Sequence, residues 1–470
     1  AVSQVQLMAQ TDANLTSRMA RAAVEAEYAR LPESTRSAAA LSILDTIGVM
    51  VPPSTLDETC QQLEMLTDEE CASGSSTLIG KGKTSSATMA AYLNGCCVHV
   101  LDYDDTIDDI AHHSSSQTVP AALAVAEKIG AVSGEEFITA VAVGSDFGAR
   151  LSSAPTGELG RDFQWFPISN FGVFSATVTA AKVLRLSEQQ MINALGLALH
   201  RCHGVLGAVT APESELRAIR DGFINKEGVL CALMAQRGVK ACSDAIERFF
   251  ETYYDNEFDA DRLTQGLGSE FLGEQASLKP WPSCRVTHGY VEATRLIMAE
   301  NAIAPGDVKQ ITCVVSAGTR DQFCEPEATK KNPQLGIQAK FSLYFPIAVG
   351  MLKQPEIADF LPENLERPEV LQLAGKIHYR VDESLGYKAV ISPATVELET
   401  EGGQVFRRQI DEVYGHPDNP MSRTDIISKF RDCLSYAKQP ISEQQTEKLI
   451  SALLALDQVA DIRDISALLP

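Results

Sequence analysis

The segment "VLDYDDTIDDIAHHSSS", residues 100–116, concentrates side chains that can do chemistry. Aspartates stand at five of the positions from 102 to 109, and His112, His113 and three serines follow. Carboxylates and imidazoles this close in sequence serve as metal ligands, as a catalytic acid and base, or as the polar side chains of a solvated loop. Composition alone leaves all three interpretations open.

A calcium-binding EF-hand loop does not fit this segment. If Asp102 takes the first ligand position, Ile107 falls where a glycine is required and His113 falls where a bidentate glutamate is required. A looser metal site stays open, because a helical segment would bring four ligand-type side chains to one face: Asp102, Asp105, Asp109 and His113. We nevertheless predict no bound metal.

A second candidate group lies in "LKPWPSCRVTH", which carries Lys279, Ser283, Arg285 and His288. Two prolines stiffen the backbone there, and the sequence pattern changes at this point, which indicates a domain boundary. Clefts between domains are preferred ligand sites, and a cluster of cations suits a carboxylate. A patch of salt bridges between domains is the alternative.

The elements that must position these groups are helical up to about residue 270. Three helix starts carry the capping-box pattern, in which a serine and an acid or amide three residues later satisfy each other's backbone amides. They are Ser133 with Glu136, Ser187 with Gln190, and Ser442 with Gln445. Alanine-rich runs such as "SATVTAAKVL" fit closely packed buried helices.

The pattern changes to β after that point. "VKQITCVVSAG" is rich in β-branched residues, and "ATVELETEGGQVFRRQI" alternates apolar and acidic residues before a Gly402-Gly403 turn, which predicts a hairpin with one buried face. "KFSLYFPIAVGML" fits a helix or a strand. The sequence therefore predicts a mainly α protein: a helical domain at 1–273 and 416–470, interrupted by a smaller α+β domain at 274–415.

Charge and cysteine content restrict the partners and the compartment. Lys and Arg number 40 against 62 Asp and Glu, and a formal net charge of −22 disfavours nucleic acid and membrane surfaces. The 11 cysteines include no CxxC pair, so we expect free thiols and no iron–sulfur cluster. With no signal segment recognised, we predict a cytoplasmic protein, or a mitochondrial-matrix protein if a transit peptide has been removed.

Several strings resemble the MmgE/PrpD family of dehydratases, decarboxylases and epimerases. They are "AAYLNGCCVHVLDYDDT", "HSSSQTVPAALAVAE", "FGVFSATVTAAKVL", "LKPWPSCRVTH", "AKFSLYFPIAV" and "GHPDNPMSRTDIISKF", in the family's order. The resemblance implies a homodimer whose subunit has a large helical domain and a smaller α+β lid domain, with no metal and no organic cofactor. It also implies chemistry beside a carboxylate of a small polycarboxylate, with Asp102, His113 and Lys279 lining the active site.

Four positions in the implied substrate site differ from residues found in the family or in its animal decarboxylases, and Cys284 is as in many dehydratase-like members. Phe166 replaces a histidine in "WFPIS", Arg217 replaces a lysine in "ELRAIRDGF", Cys284 stands where animal decarboxylases have histidine, and Tyr344 marks a displaced tyrosine. Phe166 removes a donor and adds apolar area, so we expect a substrate with fewer carboxylates or a larger hydrophobic part. Arg217 can still grip one carboxylate through its bidentate fork.

These residues suggest a mechanism in which His113, oriented by Asp102, removes a proton beside a carboxylate or carbonyl. The negative charge then needs fixed cations, for which Lys279 and Arg217 are candidates, with Arg285 as a third. Ser283 is a candidate substrate-binding residue. We predict a lyase that eliminates water or CO₂ from a small carboxylate. An epimerase or isomerase that returns the proton is the alternative, and an inactive binding homologue is the third.

Overall fold

The computed structural model describes residues 14–71, 73–110, 112–156, 164–211 and 214–470, which form two compact units. The helical unit comprises the described residues up to Val100, those from Asp104 to Ala276, and Ile427–Pro470. The mixed unit comprises Ser277–Ile426 together with Leu101–Tyr103. It covers most of the predicted α+β domain and extends further toward the C-terminus.

The predicted class, mainly α with a smaller α+β part, is confirmed. The helices that precede the mixed unit in sequence are Leu15–Glu25, Glu33–Val49, Pro53–Leu56, Glu58–Glu70, Ala87–His99, Val119–Ile129, Gly134–Ser153, Pro167–Val183, Glu188–His200, Leu206–Thr210, Leu216–Gln236, Ala245–Tyr254 and Ala260–Thr264. The last helices are Arg423–Ser435, Glu443–Leu454 and Arg463–Ser466. Strands Ser76–Leu78 and Lys83–Ser85 pair as an antiparallel hairpin, and two-residue strands lie at Thr106–Ile107 and Ala276–Ser277.

The predicted helix starts are present. Full capping boxes form at Ser133 and at Ser187. At Ser442 the hydroxyl accepts from the Gln445 amide, but the Gln445 side chain donates to the Leu468 carbonyl instead of returning the bond. That start is therefore capped on one side only.

Two helices of the helical unit, Ala87–His99 and Leu216–Gln236, cross at close range. A methyl group at Gly95 would lie 2.6 Å from the Asp221 carbonyl oxygen, and one at Gly222 would lie 2.2 Å from Cys96 Sγ. Only glycines allow this approach, which places Arg220 near the end of the helix that carries His99. The chemistry described below depends on this crossing.

The stretch Glu33–Leu56 is long and apolar enough to cross a membrane by length and composition. However, 78% of its most apolar window is buried inside the protein. Core helices of globular proteins pass the same test, so this stretch is weak support for a membrane span.

The mixed unit contains a four-stranded sheet in the order Ile377–Val381, Val308–Val315, Ala394–Thr400, Val405–Ile410. The first pair is parallel, and the others are antiparallel. The predicted hairpin is confirmed, since Val396 and Leu398 are buried while Glu397 and Glu399 are partly exposed. The helices are Arg285–Glu300, Ala317–Thr319, Glu327–Lys331, Gly336–Lys340, Tyr344–Leu352 and Pro368–Gly375. "KFSLYFPIAVGML" thus contains a helix.

Candidate active site

The acidic segment that follows the helix Ala87–His99 folds back on itself. Its described residues form turns and the strand Thr106–Ile107, and the Ile107 amide donates to the His112 carbonyl at 3.0 Å. The segment is therefore not the helix that would have aligned four ligand-type side chains on one face. The reversal instead brings His113 back to the aspartates that precede it.

Asp104 holds two imidazoles, one on each carboxylate oxygen. Nδ1 of His99 lies 2.8 Å from Oδ1, and Nδ1 of His113 lies 3.0 Å from Oδ2. The two rings meet edge to face with their centroids 4.9 Å apart. The side chain of His99 is 4% exposed, whereas that of His113 is 15% exposed. Of the two rings, His113 is therefore the one with access to a ligand.

The contacts of His113 fix its tautomer. Its Nδ1 also lies 3.0 Å from the carbonyl oxygen of Asp105. A carbonyl oxygen only accepts hydrogen bonds, so Nδ1 must carry the proton. In the neutral ring the lone pair is then on Nε2, which is the arrangement of a general base held by a carboxylate.

The charges of this cluster follow from burial and pairing. Burial and the nearby Arg220 charge lower the pKa of His99 to about 4, so this ring is neutral at neutral pH. Burial works against ionisation of Asp104, but the two imidazoles hold the pKa of Asp104 well below its ordinary value. Asp104 is thus a fixed carboxylate next to His113.

Asp105 is also buried. Its carboxylate accepts hydrogen bonds from the amide and the hydroxyl of Ser115. Burial raises the pKa of Asp105 to about 6 despite these bonds. The intervening aspartates therefore divide: Asp104 and Asp105 belong to the interior, while Asp108 is partly exposed and Asp109 is exposed.

Asp102 has a different partner from the one predicted. Its Oδ1 lies 2.6 Å from Nζ of Lys279, and the same ammonium donates to the Asp102 carbonyl at 3.1 Å. Asp102 has φ +52°, a left-handed conformation that aspartate tolerates better than most residues. Tyr103 donates from its hydroxyl to the Pro280 carbonyl, which fastens the segment. The carboxylate that orients His113 is Asp104, and this corrects the predicted role of Asp102.

Three other predicted residues near Lys279 are engaged within the mixed unit. The guanidinium of Arg285 donates to the carbonyls of Val413 and Tyr414, so it holds a turn. Ser283 pairs with the Thr287 hydroxyl at 3.0 Å and accepts from Nε2 of His288 through its carbonyl. Burial, followed by the Arg285 and Lys279 charges, lowers the pKa of His288 well below its ordinary value.

Cys284 and Tyr344 occupy structural positions. Cys284 precedes the helix Arg285–Glu300 and donates its amide to the Lys340 carbonyl at 3.1 Å. Tyr344 is fully buried in the core of the mixed unit, with its hydroxyl 3.3 Å from the Cys324 carbonyl. Tyr344 therefore has a packing role, and Cys284 is fixed through its backbone, while their predicted substrate contacts stay predictions.

Phe166 contacts an arginine that the sequence interpretation passed over. The guanidinium carbon of Arg220 lies 5.6 Å from the centroid of the Phe166 ring, within cation–π range. Arg220 is 4% exposed, whereas Arg217, one helical turn earlier, is only partly buried. Arg220 donates to the Arg217 carbonyl at 2.6 Å. Phe166 thus orients a buried cation.

His99, Asp104 and His113 are close enough to be considered as metal ligands, since one ligand atom of each lies within 4.8 Å of the others. The donor set does not fit, however. The Asp105 carbonyl requires a proton on Nδ1 of His113, so a metal cannot bind at this nitrogen, which is the one that faces Asp104. We derive no step through a metal.

Comparison with known proteins identifies the family. Models of the MmgE/PrpD N-terminal domain and C-terminal domain match residues 17–260 and 281–456. The chain belongs to the MmgE/PrpD family. Among its relatives, cis-aconitate decarboxylase of Aspergillus terreus is 24% identical over 421 residues, 84% of each chain.

Two further relatives agree with this MmgE/PrpD assignment. The cis-aconitate decarboxylase-like protein oryM of Aspergillus oryzae is 23% identical over 97% of this chain and 98% of its own. Human cis-aconitate decarboxylase is 26% identical over 81% of this chain and 79% of its own. These similarities support an enzyme of the lyase type.

Sequence reasoning missed three residues of this MmgE/PrpD chain: Asp104, His99 and Arg220. For Asp104 and His99 the sequence held a weak signal, because a histidine in the last turn of a helix precedes an aspartate by five positions. Arg217 and Arg220 are three positions apart on one helix and so share a face. Their spacing therefore does not indicate that Arg220 is the buried one.

Proposed function

We propose that this protein is a lyase that needs no cofactor and acts on a small carboxylate. It removes a proton next to a carboxylate or carbonyl and eliminates water or CO₂. The observation that supports this proposal is the pairing of Nδ1 of His113 with Asp104 Oδ2 and the Asp105 carbonyl, both at 3.0 Å. This pairing leaves Nε2 of His113 as the proton acceptor.

In the dehydration form of the reaction, Nε2 of His113 takes the proton from carbon and the C–O bond breaks. The hydroxyl leaves and receives the proton from His113 as water forms. In the decarboxylation form, Nε2 of His113 first takes a proton from water. The C–C bond then breaks, CO₂ leaves while the electron pair stays on carbon, and His113 gives its proton to that carbon. In both forms Asp104 stabilises the imidazolium while it exists.

Charge that develops on the substrate oxygens needs cations. We assign this role to Lys279, whose ammonium Asp102 holds at 2.6 Å, and to the arginine pair on the helix Leu216–Gln236. Arg285 is left out, because it donates to two backbone carbonyls. The role of Lys279 in stabilising this charge is a proposal that comes from the family resemblance. The contact that fixes its ammonium against Asp102 supports it.

Proton NMR in D₂O tests the reaction. The protein is incubated with a panel of small carboxylates, and the signals of the α-proton and of new vinyl groups are followed. New vinyl signals, or loss of CO₂, support the lyase. Exchange of the α-proton without net product would show an epimerase or isomerase instead, and silence across the panel would show an inactive homologue.

A matched pair of variants assigns the base. His113→Gln should reduce exchange and product formation by about 10²- to 10⁴-fold, which is the usual value of general base catalysis. His200→Gln changes an exposed histidine on another helix and should leave both rates unchanged. Equal rates in the two variants would remove His113 from the mechanism.

We also propose a homodimer, as the family resemblance implies. Light scattering coupled to size-exclusion chromatography measures the mass directly. A mass of one 50.8 kDa chain across a range of concentrations would contradict this proposal.

A further inference from the structure

The helical unit contains a cavity of about 230 Å³ that borders Arg220. Its walls are mostly aliphatic or aromatic, and the larger apolar side chains that line it are Val173, Val205, Val209, Leu216, Phe223 and Ile224. The charged groups at its edge are few. An apolar cavity with a small number of polar groups is the usual form of a small-molecule site.

Arg220 reaches this cavity with hydrogen-bonding capacity unused. It is 4% exposed, and its Nη2 makes no hydrogen bond. Nη1 donates to the Arg217 carbonyl at 2.6 Å, and Nε lies 3.6 Å from Asp221 Oδ1, too far for a hydrogen bond. A buried guanidinium with an unused donor is costly unless a ligand satisfies it.

The other charged groups at the cavity satisfy one another. Arg201 grips Glu227 through two contacts, Nε to Oε2 at 2.7 Å and Nη2 to Oε1 at 2.8 Å. Burial and the Arg201 charge lower the pKa of His203, which keeps this ring neutral at neutral pH. Arg220 is therefore the cation at this cavity that an anion can engage.

We propose that this cavity binds the substrate as an aliphatic carboxylate, with the carboxylate on the guanidinium of Arg220 and the hydrocarbon part against Leu216, Phe223 and Val209. The inference rests on the proposed function, because Arg220 is one of the cations assigned to the substrate there. The Arg220 guanidinium lies over the Phe166 ring, and this cation–π contact restricts its position at the cavity edge. One cation beside an apolar wall can pair with one carboxylate, so the cavity disfavours substrates with several charges.

Calorimetric titration of the full chain with butyrate, pentanoate and hexanoate tests this proposal. Because each buried methylene contributes about 0.8 kcal/mol, Kd should fall about threefold to fourfold with each added methylene. Arg220→Gln should raise the Kd of hexanoate about 10- to 100-fold, as expected for loss of a charge-assisted hydrogen bond. 1-Hexanol carries no charge, so its binding should not change.

Three variants make the result specific. Arg237→Gln removes the same charge from the exposed end of the same helix and should leave hexanoate binding unchanged. Leu216→Asn makes the partly exposed cavity wall polar and should weaken hexanoate more than butyrate. Arg220→Lys keeps a charge at the site, so it should bind hexanoate more weakly than the wild type and more tightly than Arg220→Gln, provided that circular dichroism shows all variants folded.

Equal hexanoate affinity in wild type and Arg220→Gln would overturn the proposal. So would tighter, Arg220-dependent binding of the tricarboxylate tricarballylate than of hexanoate. His113→Gln separates this inference from the proposed reaction, because it should bind hexanoate normally even though it lacks the base. If His113→Gln bound hexanoate normally and also exchanged the α-proton at the normal rate, the proposed reaction would be contradicted, whereas the proposed binding site would not.

Discussion

Nδ1 of His113 lies 3.0 Å from Oδ2 of Asp104, and the second oxygen of the same carboxylate holds His99 at 2.8 Å. One buried carboxylate therefore sets the ring orientation of both imidazoles. The more exposed of them, His113, presents Nε2. The pair is a carboxylate–imidazole unit of the kind used in proton transfer.

Asp104→Asn should lower the rate of proton exchange about 10²- to 10⁴-fold. An amide has one oxygen and one NH₂ group and carries no charge, so it cannot present an oxygen to both Nδ1 atoms, and one ring must turn or change tautomer. Deuterium exchange followed by NMR measures the effect. Asp109→Asn, which alters an exposed aspartate of the same segment, is the control. A normal rate in Asp104→Asn would show that His113 does not need this carboxylate.

Asp102→Asn tests the second charge pair through stability. Asparagine tolerates the left-handed backbone of residue 102, so the change removes mainly the charge that faces the Lys279 ammonium. Loss of one member of a buried pair costs roughly 3–5 kcal/mol of unfolding free energy. Urea denaturation measures it, and the double variant Asp102→Asn with Lys279→Met should recover part of the loss. A single variant as stable as the wild type would contradict the strong coupling.

Much of the fold was predictable from the sequence, because it rests on local patterns. Serine caps, the alternation of Val396 and Leu398 with glutamates, and β-branched runs each act within a few residues. The helix Tyr344–Leu352 could not be decided, because its residues are apolar all round and no periodicity distinguishes helix from strand.

The site was predictable in its residue types and less so in its pairings. His113 and Lys279 could be named from the family strings, but the partner of each depends on backbone turns that sequence does not specify. Asp102 and Asp104 are two positions apart, and a left-handed residue at 102 sends their carboxylates to different partners. Burial of Arg220 depends on the glycine crossing of two helices that are distant in sequence.

Acid should destabilise the protein through His112, a fully buried ring. Burial lowers its pKa to about 3 in the folded chain, against about 6.5 when unfolded. Below pH 6.5 the unfolded state binds a proton that the folded state does not, so stability falls as pH drops from 6.5 toward 3. At pH 5 this residue should cost about 2 kcal/mol relative to pH 7.5.

The measurement is urea denaturation of wild type and His112→Gln at pH 5 and pH 7.5. The difference in unfolding free energy between the two proteins cancels the other titrating groups, including Asp105, whose raised pKa acts with the opposite sign between pH 4 and pH 6. The wild type should lose about 2 kcal/mol more than the variant on acidification. An identical loss in both would show that His112 is protonated in the folded state.

Removal of metals should leave the enzyme active. The His99–Asp104–His113 cluster has ligand-type side chains, yet the Asp105 carbonyl and the Asp104 carboxylate both draw on the Nδ1 proton of His113. A metal bound at that nitrogen would have to displace the proton and break both contacts. Dialysis against EDTA should therefore change neither the exchange rate nor the unfolding midpoint. Stoichiometric zinc or iron in the purified protein, lost together with activity on dialysis and recovered when the metal is returned, would instead make this cluster a metal site.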